Sequence, residues 1–380
     1  MGWTHTDLTA VSGARPALTA PWAYMFDAQG TQHVVHIAYD GHVIELWSDS
    51  SGWHHNDLSI AAGAPTVTND SRGNRAAGYV FAAEGTQHVF YVPSDCHVHE
   101  LWWDGGGGWH HNDLTNVVPG TSLSLVQGPC AFVFDAEGTQ HVDYVASDFH
   151  VHELWWQNGA WHHNDITAAA SAPPAADGSR PVGYVFADQA TQHVDYVGMD
   201  GHIHELWWQA GHWNHNDLTA ATGSPLPDTS GLAAYTFAAE GTQHVDYVSQ
   251  DHHVHELWWN SDGWHDEDLT AASGAPVLGW TVLCAYAFEA QRTQHVVCAG
   301  DDGSMHELWW ASDGWHYTDL TPQIQSALAA LAMPAGYVFS QQGTQHVDYV
   351  GIVDNHIYEL RWQRESPPID PVPPPSGAAE

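Results

Sequence analysis

Residues 184–219 carry the stretch that decides the fold. They read Tyr-Val-Phe at 184–186, Thr-Gln-His-Val-Asp-Tyr-Val at 191–197, His-Ile-His-Glu-Leu-Trp-Trp at 202–208 and Trp-Asn-His-Asn-Asp-Leu-Thr at 213–219. The same order recurs along the whole chain. Thr-Gln begins at 31, 86, 139, 191, 242, 293 and 344, and Glu-Leu begins at 45, 100, 153, 205, 256, 307 and 359. The closing Trp falls at 53, 109, 161, 213, 264 and 315, and its seventh copy is Trp3, ahead of every other element. A repeat of about fifty residues implies a solenoid, a propeller or an array, overriding the domain count that length alone suggests.

Each unit holds four short runs dominated by Val, Tyr, Phe, Trp, Ile and Thr, separated by breaks carrying Gly, Asp, Ser and Asn. Connections between units are longer and richer in Ala, Gly, Pro and Ser. Short loops within a four-stranded unit and long loops between units describe a propeller blade. The expected fold is therefore all-β: a seven-bladed β-propeller of four-stranded antiparallel blades spanning residues 1–362. Residues 1–10 would close the circle as the outer strand of the blade built from about Ala335 to Trp362. A parallel β-helix is the alternative, but its repeats are shorter and it has no use for a split unit. Only Pro322–Leu331 hints at helical periodicity. The Pro-rich segment 363–380 is expected to be extended or disordered.

Within the breaks, the first turn places Gly at most copies but Ala190 and Arg292 at two, which implies that a positive φ is not required there. The second always carries Asp (40, 95, 148, 200, 251, 302 and 354), as an Asx turn would. The Asp near the end of each unit, from Asp7 to Asp319, suits capping of the turn that leaves the blade. Cys96, Cys130, Cys284 and Cys298 occupy unrelated places in the repeat, so neither a disulfide framework nor a zinc site is indicated, although Cys284 and Cys298 could meet across one hairpin.

The chain has no Lys and seven Arg against 45 acidic residues, a formal charge of −38. That argues against nucleic acid, whose phosphates need basic partners, and against anionic membrane surfaces. No membrane insertion is expected, and no signal peptide is visible, which points to the cytoplasm or to a non-classical export route. The 31 His would offset much of this charge on protonation, so solubility or ligand binding is expected to change near about pH 6.

The seven Glu of the Glu-Leu pairs are the sharpest candidate ligand-binding residues: Glu45, Glu100, Glu153, Glu205, Glu256, Glu307 and Glu359. A carboxylate beside Trp suits sugar, accepting from hydroxyls while indole packs on the C–H face of the ring. An equal alternative is that each Glu satisfies a backbone N–H, an indole N–H or a His of the next blade. Trp53, Trp109, Trp161, Trp213, Trp264 and Trp315, near strand ends, are the better ligand platforms; the Trp after each Glu-Leu (102, 155, 207, 258 and 309) reads as core. Pairs such as His97/His99 and His202/His204 share a strand face, as metal ligands can. The pattern decays in three of seven copies, so hydrogen-bonded packing is favoured, with no metal and no cofactor expected. No Ser recurs at a fixed place, and no nucleophile elbow or catalytic residue emerges.

The run Gln-His-Val-Asp-Tyr-Val, then Asp-Gly-His-Ile-His-Glu-Leu-Trp-Trp and a Gly-Trp-type turn, resembles the repeat of the fungal and bacterial fucose-specific lectins over residues 1–362. The resemblance implies a β-propeller with sugar pockets between blades, commonly six blades; seven are counted here. It assigns sugar contacts to the seven Glu and to the turn Trp, including Trp3. The family's second-strand Arg does not carry over: that place holds Val35, Phe90, Asp143, Asp195, Asp246, Val297 and Asp348. Asp143, Asp195 and Asp246 could accept from sugar hydroxyls instead. The expected function is non-catalytic, multivalent recognition of glycans or glycoconjugates, with a second copy of the chain eligible as a partner. The alternatives are an enzyme with one central pocket and a protein-interaction scaffold.

Overall fold

The computed structural model describes residues 2–67, 75–118, 129–277, 281–324, 328–330 and 333–364. They form seven four-stranded antiparallel sheets arranged in a ring: a seven-bladed β-propeller. In blade 4 the strands run outward from the axis as Val182–Phe186, Thr191–Val197, Ile203–Gln209 and His212–Asp217. Blades 1 to 6 begin at Trp22, Ala77, Cys130, Val182, Pro227 and Thr281. Most of segment 363–380, and part of the stretch 322–331, lie outside the described residues.

Blade 7 shows the circular closure. Three of its strands are Ala335–Phe339, Thr344–Val350 and Ile357–Gln363, and the fourth is Gly2–Asp7. Trp3 pairs with Trp362 and Asp7 with Tyr358. The closure extends past the strand: His356 Nδ1 meets Asp7 Oδ2 at 2.9 Å, and Ile357 N–H donates to Thr9 Oγ1 at 2.8 Å. Leu8 sits fully buried just beyond.

The two recurring Asp do the local work expected of them. In every blade the second-turn Asp accepts the backbone N–H two residues on, as Asp200 does from His202 at 3.1 Å. The last-strand Asp caps a single helical turn, as Asp217 does by accepting from Ala220 N–H at 2.8 Å. Those one-turn helices, such as Leu218–Thr222 and Thr321–Ile324, are too short to show a helical period in the sequence.

Two expectations need correction. Ala190 and Arg292 adopt φ of 51° and 56°, so the first turn keeps its left-handed residue even without Gly. The turn geometry outweighs the steric penalty of about 1–2 kcal/mol that a Cβ imposes there. Cys284 and Cys298 do not meet: Cys284 pairs with Val297 and Cys298 with Leu283, an offset of one residue that turns the thiols to opposite faces, and both are free.

Candidate functional site

The strand register explains why Glu lies where it does. In blade 3, Asp143 is opposite Glu153, which is opposite Asn164; His141 is opposite Trp155, which is opposite His162; and Phe132 is opposite His141. Cross-strand partners share a face, so these side chains form one polar and aromatic surface. Thr139 and His141, two residues apart, share it as well.

Each Glu anchors a buried relay. His141 Nδ1 donates to Glu153 Oε1 at 2.7 Å, and the Thr139 hydroxyl donates to His141 Nε2 at 2.7 Å. A carboxylate only accepts, so it fixes the proton on Nδ1 and leaves Nε2 to accept from Thr. The same relay, within 2.7–2.8 Å, joins Glu45 to His33, Glu100 to His88, Glu205 to His193, Glu256 to His244, Glu307 to His295 and Glu359 to His346. These Glu are only 2–4 % exposed. In blades 1, 2 and 4 the second oxygen accepts from Asn56, Asn112 and Asn216 at 2.7–3.0 Å. An innermost-strand ring stacks on each relay His, as Tyr184 does on His193 with centroids 5.1 Å apart.

The second-strand Asp are buried deeper still. Asp143, Asp195, Asp246 and Asp348 are fully buried, each opposite its blade's relay Glu. Burial, and then the neighbouring Glu charge, pushes these carboxyls well above the usual carboxylate range. Each Asp therefore favours its protonated form, beside a Glu whose Oε1 accepts from the relay His.

A cavity of about 210 Å³ opens on this surface between blades 3 and 4. Blade 3 contributes Glu153, Trp155, His141, Thr139, Gln157, Glu137 and Asn164. Blade 4 contributes Gln192, Trp208 and Trp213, a row set by the pairing of Gln192 with Trp208 and of Trp208 with Trp213. The cavity thus joins Glu153 of one blade to Trp213 of the next. Its position coincides with a departure from the repeat. At five other blade junctions an innermost-strand Tyr donates to the next blade's Gln, as Tyr79 does to Gln140 at 2.9 Å and Tyr235 to Gln294 at 2.7 Å, while Tyr286 and Gln345 between blades 6 and 7 are present but unpaired. Blade 3 has Phe132 at that place. Gln192 Oε1 is left buried without a partner, and Gln192 Nε2 turns to donate to Glu153 Oε1 at 3.2 Å.

The remaining predicted residues sit in corresponding places. Trp53, Trp109, Trp161, Trp264 and Trp315 are half-buried, as is Trp3, while Trp213 is buried. Trp161 packs edge-on against Phe90 of the preceding blade, with centroids 6.0 Å apart, so the turn Trp faces the neighbour's second strand. The Trp after Glu-Leu are half-buried rather than core. Four of the five stack on an outer-strand His, as Trp155 does on His162 at 4.3 Å. Sequence reasoning missed the relay His, Thr and Gln, although Thr-Gln-His recurs unchanged in all seven copies.

The His-x-His pairs form a separate layer. His97 Nδ1 lies 2.8 Å from Asp113 Oδ2, and His99 spans His111 at 2.7 Å and Asp95 at 3.1 Å. Donor atoms of Asp95, His97, His99 and Asp113 lie within 4.8 Å of one another, a spacing that would admit a divalent ion, and related groups occur in four further blades. Hydrogen bonds already join the blade 2 side chains, whereas His255 Nε2 of the blade 5 group is buried without a partner.

No family model and no curated protein matches the sequence. Solved structures do match in shape. BP39L lectin from Burkholderia pseudomallei is similar at a TM-score of 0.70 with 17% identity, covering 90% of this chain and 96% of its own. SapL1 lectin in complex with alpha-methyl fucoside is similar at 0.52 and 17%, covering 83% and 98%. The Aleuria aurantia lectin, a six-bladed β-propeller, is similar at 0.51 and 15%, covering 79% and 93%. The chain has the propeller fold of these lectins. It carries one blade more than the Aleuria protein.

Proposed function

We propose that this chain is a carbohydrate-binding protein without catalytic activity, taking sugar between adjacent blades. The observation that carries the reading is the cavity where the Glu153 carboxylate meets the Trp213 indole of the next blade. The carboxylate accepts from sugar hydroxyls, Asn164 and Gln192 offer further polar contacts, and Trp155 and Trp213 supply apolar surface for the C–H face. At about 210 Å³ the cavity suits one monosaccharide residue, being smaller than the about 300–1,000 Å³ of drug-sized sites. The shape likeness to lectins, one of them bound to a fucoside, supports the same reading.

Repetition extends the proposal. By the repeat, the other Glu would meet the turn Trp of the next blade in the same way, Glu45 with Trp109 and Glu205 with Trp264 among them, so several weak sites on one ring would engage a glycan-bearing surface together. The buried Asp143, Asp195 and Asp246 would back these sites rather than reach solvent, so their effect on sugar choice would run through the Glu each opposes.

The test is a glycan array followed by calorimetry. Saturable sugar binding is expected, with one site per chain lost in Glu153→Gln or Trp213→Ala. An array without hits sinks the carbohydrate reading. A single site per chain sinks multivalency while leaving the blade 3–4 site standing.

A further inference from the structure

The His-x-His layer breaks its own pattern in blade 5. In blades 2, 3 and 4 the second His of the pair uses both ring nitrogens. Nδ1 of His99, His152 and His204 meets Nε2 of His111, His163 and His215 at 2.7–2.9 Å, and Nε2 reaches the second-turn Asp95, Asp148 and Asp200 at 3.0–3.2 Å. Blade 5 keeps His253, His255 and the turn Asp251, but places Asp266 where those blades have the outer His. His255 Nδ1 lies 3.2 Å from Asp266 Oδ1, and its Nε2 is buried without a partner. The residue is only 4 % exposed, so water does not make up the deficit. One ligating atom each of Asp251, His253 and His255 lies within 4.8 Å of the other two.

The Asp266 carboxylate fixes the tautomer. Two facing imidazoles share one N–H between them, so His204 can keep its own proton on Nε2 and donate it to Asp200. A carboxylate only accepts, so Asp266 holds the His255 proton on Nδ1. Nε2 is then a bare lone pair, shut away from water on the side that faces the turn Asp in blades 2 to 4. A lone pair and a carboxylate with no hydrogen between them repel, and a cation joining them reverses the sign. Asp251 is prepared for such a contact: its Oδ1 accepts from the Ser249 hydroxyl and from His253 N–H, the latter at 3.2 Å, which leaves Oδ2 for another partner. Asp268 Oδ2 lies 2.7 Å from His253 Nδ1, so that ring too holds its proton at Nδ1 and keeps a lone pair at Nε2. A carboxylate behind each imidazole is the arrangement that orients metal-bound His and raises its basicity.

We propose that Asp251, His253 and His255 of blade 5 bind one divalent transition-metal ion of the zinc kind, with Asp266 and Asp268 as the carboxylates behind the two rings. Two imidazoles and one carboxylate suit zinc and leave a fourth position for water. Calcium and magnesium, which take oxygen ligands, fit this donor set poorly. The site departs from the hydrogen-bonded packing expected of the His pairs, and it does so in the one blade with Asp at that outer-strand place. It lies at the second turn, at the opposite end of the strands from the Trp264 turn, and uses none of the Glu relays. It is therefore independent of the sugar reading.

The test titrates the metal-free full chain with zinc chloride at pH 7.5 in a calorimeter. One zinc ion per chain is expected to bind at least tenfold more tightly than any further ions. That affinity should fall at least tenfold in His255→Gln and in Asp266→His, the latter restoring the residue of blades 2 to 4. It should stay unchanged in His204→Gln, the matching change in blade 4. A titration in which no single ion stands out, or a tight ion that either blade 5 variant retains, overturns the proposal. In parallel, imidazole nitrogen NMR of the unaltered, metal-free protein should show His255 as the neutral Nδ1–H form, with its Nε2 signal moving on zinc saturation. An imidazolium, an Nε2–H tautomer or an unmoved Nε2 signal overturns the proposal even where the variants fail to fold.

Discussion

Asp195 and Glu205 stand directly opposite each other on adjacent strands of blade 4, both buried, with their carboxyl groups on one face. Burial and the Glu205 charge raise Asp195 well above its ordinary 3.8. The folded state thus holds a proton that the unfolded chain gives up above that value. Stability contributed by Asp195 is present at low pH and is lost as pH rises through its folded-state pKa. Val35 and Val297 fill the same place in other blades, so Val fits. Asp195→Val should therefore stabilise the ring by about 1–3 kcal/mol at pH 7–8, with the gain shrinking towards pH 4. Urea unfolding at several pH values reads this; a gain that does not grow with pH would show that Asp195 is not protonated in the fold.

The closing strand makes a second prediction. Gly2–Asp7 completes blade 7, Leu8 is fully buried beside it, and Asp7 and Thr9 bond into the same blade. Leu8→Ala alone should cost about 2–5 kcal/mol. Deleting residues 1–10 should cost more, because it also leaves Ile357–Gln363 as an open edge prone to pair with another chain. Thermal unfolding and light scattering would report both. A deletion variant that stays monomeric with an unchanged melting temperature would refute closure as a source of stability.

The blade count, the four-strand unit and the split repeat were legible because side-chain type and spacing repeat with the backbone. Asp200 and Asp217 could be read as turn and cap for the same reason: each acts on a backbone N–H two or three residues away. The relay was not legible, although its letters were. Thr139, His141 and Glu153 come together through antiparallel register, which sequence spacing alone does not set. Ala190 misled for a different reason. A Cβ penalty of about a kilocalorie or two looks prohibitive in isolation and is modest against a hairpin whose two strands are already paired with each other.

Phe132 offers a test of why the sugar cavity opens where it does. Restoring the hydroxyl with Phe132→Tyr should give the orphaned Gln192 Oε1 a donor, as Tyr79 gives Gln140. The gain in stability should be about 0.5–1.5 kcal/mol. The restored bond would also fix Gln192 in the orientation that Gln140 has and reduce its freedom to serve a ligand. Binding at the blade 3–4 site should weaken while other sites keep their affinity. Calorimetry with the sugar found on the array measures this; stronger binding in Phe132→Tyr would separate the cavity from the missing hydroxyl.

His36 predicts how the ring fails in acid. It is fully buried where most other copies have Tyr, as at Tyr91 and Tyr196. Its Nε2–H donates to the Arg15 carbonyl at 3.0 Å, and its Nδ1 is buried without a partner. Burial lowers its pKa from 6.5 to about 4. The unfolded chain therefore takes up a proton near pH 6.5 that the folded chain refuses until about pH 4, so stability falls as pH drops through that window. The loss should be on the order of 3 kcal/mol by pH 4. His36→Tyr should remove this part of the slope and leave the acid limb set by His111, His163 and His215, which burial also lowers. Denaturation midpoints at pH 7, 5.5 and 4 would show the two proteins diverging as the acid is added; parallel curves would mean that His36 is already protonated in the fold.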